Sequence, residues 1–124
     1  MPAVRRLYEE TKNRARFLLV YVREAHAADE WVMPDNKEGG LHFEQPTSYA
    51  ARIDAAECCV EELSLDMPTV VDGLDDAVSR KYGAWPDRLY VIGPDGRIAY
   101  QGGVGPFGFK PDEVREFLRK TYGF

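Results

Sequence analysis

Residues 17–22, Phe-Leu-Leu-Val-Tyr-Val, constrain this chain more than any other stretch. A continuous apolar run with β-branched and aromatic content suits a strand buried on both faces. The sequence then switches abruptly to Glu24, His26, Asp29 and Glu30 and closes on Trp31. Open α/β sheets gather their chemistry at the carboxyl ends of such strands. The rest of the chain reads as scaffolding for that junction.

Around it the signals alternate. Residues 2–14 read as a helix, since Pro2 suits a first turn and Val4, Leu7, Tyr8 and Thr11 share one face. Residues 32–46, with Pro34-Asp35-Asn36 and Gly39-Gly40, form a breaker-rich loop longer than compact domains ordinarily use. Thr47 or Ser48 caps a second helix running to residue 63, with Ile53, Ala56, Val60 and Leu63 as its buried stripe. Residues 68–72 are a short strand, and a helix over 75–82 stops at Gly83 in a left-handed cap. Strands 88–92 and 97–100 flank Gly93-Pro94-Asp95-Gly96, the strongest hairpin signal in the chain. The glycine-rich stretch 102–109 leads to a last helix begun by Pro111. Asp112 and Glu113 sit at its positive end, and Val114, Phe117 and Leu118 face inward.

One domain is the natural reading of 124 residues, a length that needs no disulfide or metal to hold a core. The net charge of −5 argues against nucleic acid or anionic membranes as partners. No signal peptide precedes Val4 and no apolar run approaches a membrane span, so the expected location is the cytoplasm. Cys58 and Cys59 are neighbours, unlike a secreted disulfide framework. On a helix their side chains diverge by about 100°, so a bridge requires local distortion.

Glu24 and His26 stand two apart, so an extended backbone points both the same way. A carboxylate beside an imidazole fixes its tautomer and raises its pKa, giving a proton donor near neutrality. The plainer reading is a solvated pair at a strand end. Arg88, beside Asp87, can hold an anionic group through paired donors or pair with a neighbouring carboxylate. Trp31 can stack on an aromatic ligand or close the core. Glu24, His26, Asp29 and His42 match no established ligand spacing, so no metal is expected. Gly103-x-Gly105-x-x-Gly108 fits the dinucleotide fingerprint in letters only, because Pro106 interrupts it and only one helix follows. No cis bond is expected at Pro86, since the hairpin register puts Asp87 in the place where one would serve.

The element order, α-β-α-β-α-β-β-α, matches a thioredoxin-like layout entered at its first helix. Several strings then resemble the iodothyronine deiodinase family. They are Glu24-Ala25-His26-x-x-Asp29-x-Trp31, Tyr82-Gly83-Ala84 with Asp87-Arg88-Leu89-Tyr90-Val91-Ile92, and Tyr100-Gln101-Gly102-Gly103 with Gly105-Pro106 and Glu113-Val114-Arg115. Gln45-Pro46-Thr47 and Trp85-Pro86-Asp87-Arg88 resemble its bacterial branch. Where the vertebrate pattern has Pro-Ser and Gly, this chain has Ala27-Ala28 and Glu30. The similarity runs from Pro2 nearly to the C-terminus.

The resemblance implies an α/β fold, a thioredoxin-like mixed sheet with helices on both faces that lacks its first, central strand. Residues 1–124 would be one domain, incomplete at its N-terminus. It implies reductive removal of halogen from a phenolic ring by a selenocysteine or cysteine nucleophile, with an external thiol as reductant and no cofactor. Glu24 and His26 would act catalytically in proton delivery. Arg88 would bind the substrate, a small aromatic or halogenated phenol, with Trp31 as the aromatic candidate, and the assembly would be a homodimer. The family's nucleophile lies between the first strand and the first helix, whereas Cys58 and Cys59 fall on the second helix. The expectation is therefore that the nucleophile lies upstream, where a selenocysteine UGA codon would read as a stop and restart the frame at Met1. The gap between strands 17–22 and 88–92 would be filled by that segment, by direct pairing of the two strands, or by a partner's strand. The alternative function is a catalytically inactive binding module for a phenolic or anionic ligand. A generic thiol peroxidase would share the fold.

Overall fold

The computed structural model describes residues 2–23 and 47–124. In chain order its elements are α1 (Pro2–Thr11), β1 (Leu19–Tyr21), α2 (Tyr49–Glu62), β2 (Thr69–Val71), α3 (Ala77–Tyr82), β3 (Tyr90–Ile92), β4 (Ile98–Gln101) and α4 (Pro111–Tyr122). The fold is mixed α/β and compatible with a partial thioredoxin-like fold. Its strands fall into two pairs, β1 with β2 in parallel and β3 with β4 antiparallel. Among the described residues no helix is long and apolar enough to cross a membrane. The chain divides into two units, Met1–Phe17 with Asp87–Phe124, and Leu18–Pro86.

In the first unit, α1 packs on α4. Val4, Leu7 and Thr11 are the buried face of α1, as their spacing predicts. The Thr11 hydroxyl donates to the Leu7 carbonyl at 2.7 Å, which lets a polar residue complete an apolar stripe. Leu7, Val114 and Leu118 form the core, with Phe17, Leu89 and Phe117 packed against them. Leu7 is 1% exposed, and burying such a side chain contributes about 2 kcal/mol. Helix α4 starts with Pro111 in its first turn, carries Arg119 and Lys120 near its negative end, and stops at Gly123 in a left-handed cap. Arg115 Nε reaches Glu10 at 2.7 Å and links α4 to α1.

The hairpin closes through Gly93-Pro94-Asp95-Gly96. The Gly93 amide donates to the Arg97 carbonyl at 2.8 Å, and the Gly96 amide to the Gly93 carbonyl at 3.0 Å. Gly96 has φ +79°, the left-handed region that favours glycine. Tyr90 pairs with Gln101 and Val91 with Tyr100, but Ile92 pairs with Ile98, so a bulge falls between Val91 and Ile92.

In the second unit, Ser48 caps α2 by accepting the Ala51 amide at 3.1 Å. The buried stripe of α2 differs from the expected one. Arg52, Ala55 and Ala56 are buried, while Ile53, Val60 and Leu63 are half-buried. Backbone carbonyls and a carboxylate draw Arg52 inward, as described below. Gly83 ends α3 in the expected left-handed conformation, at φ 56°. The Trp85–Pro86 bond is cis, which corrects the expectation at Pro86; Gly105–Pro106 is also cis. The tertiary amide of an X–Pro bond narrows the trans preference, so register alone does not decide the isomer.

Candidate functional site

Arg88 is a sequence-predicted site residue within the described structure. Glu24, His26 and Trp31 lie outside the described residues, as do Asp29 and His42. The site is therefore built from the segment before β3 and the glycine-rich loop after β4, both in the first unit.

Arg88 and Leu89 precede β3, and a single residue opposite them holds both. The Gly102 amide donates to the Leu89 carbonyl at 2.9 Å, while the Gly102 carbonyl accepts Arg88 Nε at 2.7 Å. Gly102 is buried, and a Cβ there would meet the Leu89 carbonyl oxygen at 3.1 Å. The Arg88 guanidinium lies 5.4 Å from the centroid of the Tyr90 ring, a cation–π distance. Arg88 is half-buried, so backbone and ring together fix the direction of a long side chain.

The loop is tied down a second time. The Gly105 amide donates to the Asp87 carbonyl at 2.9 Å, and the Asp87 carboxylate packs where a Cβ of residue 105 would stand. Gly103 and Gly108 meet backbone to backbone, so close that a Cβ on Gly108 would come within 2.6 Å of the Gly103 Cα. The Gly108 amide closes the loop on the Val104 carbonyl at 3.0 Å. The glycines that spell a dinucleotide fingerprint thus serve close backbone approach. Phe107, on this loop, is 91% exposed. Sequence reasoning passed over Asp87, Gly102, Gly105 and Phe107 as site-forming residues; the glycine spacing was the signal available.

Next to Gly102, the Tyr100 hydroxyl donates to Glu113 Oε1 at 3.0 Å and joins β4 to α4. Burial raises the Tyr100 pKa above its ordinary value, and the hydrogen bond and negative charge of Glu113 raise it further.

The second unit carries a separate polar network. Arg52, 4% exposed, donates from Nη1 to the Gly73 carbonyl at 2.7 Å and to Asp76 Oδ1 at 3.0 Å. Asp72, 3% exposed, accepts the amides of Gly73, Val78 and Ser79 at 2.9, 3.1 and 2.9 Å. These bonds satisfy the Asp72 carboxylate and Arg52 Nη1 within the protein, which marks a structural network, while Arg52 Nε is buried without a hydrogen-bond partner among the described residues. Cys58 and Cys59 lie on α2, both half-buried. Among the described residues, no three His, Cys, Asp or Glu side chains gather as a metal site.

Residues 1–122 match the iodothyronine deiodinase family model. The type I iodothyronine deiodinase of Xenopus laevis is 42% identical over 115 residues, 93% of this chain and 43% of that protein. The type II iodothyronine deiodinase of Homo sapiens is 35% identical over 124 residues, 98% of this chain and 45% of that protein. The thyroxine 5-deiodinase of Gallus gallus is 40% identical over 114 residues, 92% of this chain and 42% of that protein. The chain spans a little under half the length of each of these relatives.

Proposed function

The chain belongs to the iodothyronine deiodinase family, and on that premise we propose that it serves in reductive dehalogenation of an iodinated phenol. Overall, an aryl iodide and two thiols give the dehalogenated arene, a disulfide and hydrogen iodide. The aryl carbon–iodine bond breaks, a carbon–hydrogen bond replaces it, and the thiols supply the two electrons. In this reading His26, with its tautomer fixed by Glu24, delivers the proton to the ring carbon. Arg88 holds an anionic group of the substrate, and Trp31 stacks on a ring.

The reacting chalcogen is neither Cys58 nor Cys59, since the family's nucleophile lies between its first strand and first helix and both thiols lie on α2. A cysteine or selenocysteine outside these 124 residues supplies it. Gln45-Pro46-Thr47 and Trp85-Pro86-Asp87-Arg88 support placement in the bacterial branch, and the location is cytoplasmic with an external thiol as reductant.

The observation that carries this reading is the family match over residues 1–122, which includes every proposed site residue. The test is iodide release from an iodinated phenol by the full-length protein with dithiothreitol. His26→Ala should lower kcat, and Arg88→Ala should raise KM. Activity unchanged in His26→Ala removes its proton-transfer role. Iodide release by the 124-residue chain alone overturns the external nucleophile.

A further inference from the structure

Phe107 is more exposed than any other large apolar side chain among the described residues. A ring on a slack loop folds back onto apolar surface, because leaving it in water is unfavourable. This loop is not slack. Its ends meet at Gly103 and Gly108, its middle is tied to Asp87 through the Gly105 amide, and its root holds Arg88 through the Gly102 carbonyl. The ring is held outward by backbone that has little freedom to withdraw it. Val104, in the same loop, is 42% exposed.

The same closure places Phe107 near Arg88. Tracing Arg88 Nε to the Gly102 carbonyl and across the Gly103–Gly108 contact sets an upper bound of roughly 13 Å to the Phe107 Cα, from standard backbone dimensions. A ligand of two linked rings with an anionic end can meet both. The charges around the loop favour such an occupant over an anionic lipid surface. A small ligand asks for one cation, which Arg88 supplies, whereas an anionic lipid surface asks for a basic patch, and the chain carries net −5 with Asp112 and Glu113 two and three residues after Lys110.

We propose that Phe107 is an aryl-binding residue of the substrate site, packing against one ring of a two-ring phenol whose anionic group Arg88 holds. This rests on the deiodinase reading of Arg88 and adds the residue that selects two rings over one.

The experiment is calorimetric titration of the full-length protein with an iodinated diphenyl-ether phenol and, separately, a one-ring iodophenol. Phe107→Ala should weaken the two-ring ligand about 10-fold and the one-ring ligand less than about twofold, while Phe107→Trp keeps both. The ring is exposed, so an unchanged melting temperature accompanies the loss. Wild-type affinity of Phe107→Ala for both ligands overturns the inference and leaves the deiodinase reading standing. Dissociation of a dimer by Phe107→Ala, with ligand binding intact, gives the ring to a second copy and also overturns it. If Arg88→Ala binds both ligands normally, the reading of Arg88 fails and the inference with it.

Discussion

Arg52 and Asp76 form an ion pair at 3.0 Å in which the arginine side chain is 4% exposed and the aspartate 28%. The same Nη1 also serves the Gly73 carbonyl, so one nitrogen anchors α2 to the turn that follows β2. Removing the guanidinium leaves partly buried acceptors without this donor, a loss that exceeds the worth of the pair itself. Arg52→Met should destabilise the protein by about 3 kcal/mol in urea unfolding. Arg52→Lys should recover only part of this, because an ammonium is more strongly hydrated than a guanidinium and costs more to bury. A loss below about 0.5 kcal/mol would make the network dispensable.

Leu7 is the largest fully buried side chain among the described residues, and it sits between Val114 and Leu118. Leu7→Ala should cost about 2–5 kcal/mol, transfer and cavity together, seen as a lower denaturation midpoint at unchanged slope.

Gly105 leaves no room for a methyl group beside the Asp87 carboxylate. Gly105→Ala should cost about 1–2 kcal/mol, since a short side chain can swing aside at some expense. Adding Asp87→Ala should restore part of that loss in a double-mutant cycle. Strict additivity of the two changes would show that the contact does not couple them.

Tyr100 and Glu116 report opposite ends of the pH scale. The Tyr100 pKa is raised by burial and then by Glu113. A raised folded-state pKa gives stability that is full below about 10, the unfolded value, and lost as pH climbs through the folded one. Tyr100→Phe should remove that alkaline dependence. The Glu116 pKa is lowered, first by the hydrogen bond from Arg119, which outweighs an opposing desolvation, and then by the charges of Arg119 and Lys120. Its contribution is present above the unfolded value and lost as pH falls through the folded one. Carboxyl-resolved NMR titration should find Glu116 below an ordinary glutamate, moving back up in Arg119→Ala.

Features set by near neighbours were legible in the sequence. Val4, Leu7 and Thr11 on one helical face, the Ser48 cap, Gly83 and Gly96 in left-handed turns, and Pro111 at a helix start all follow from spacings of a few residues. Features set by distant partners were not. Arg52 lies 20 or more residues from the groups that draw it inside, so no local spacing names them. Arg88 stood out by its family string, but nothing in that string names Gly102, 14 residues on, as its partner. Glu24, His26 and Trp31, which the sequence marks as candidate site residues, lie outside the described residues.

The bulge between Val91 and Ile92 lies between the hairpin turn and Gly102. Because Gly102 holds Arg88 by its carbonyl and Leu89 by its amide, the guanidinium inherits its position from the strand register. A one-residue insertion in β4 would release this arginine without replacing any residue that touches it: unless the bulge absorbed the slip, every later residue would exchange faces and the carbonyl would turn away. The distance over which a lesion can act on the site is thus the length of the hairpin.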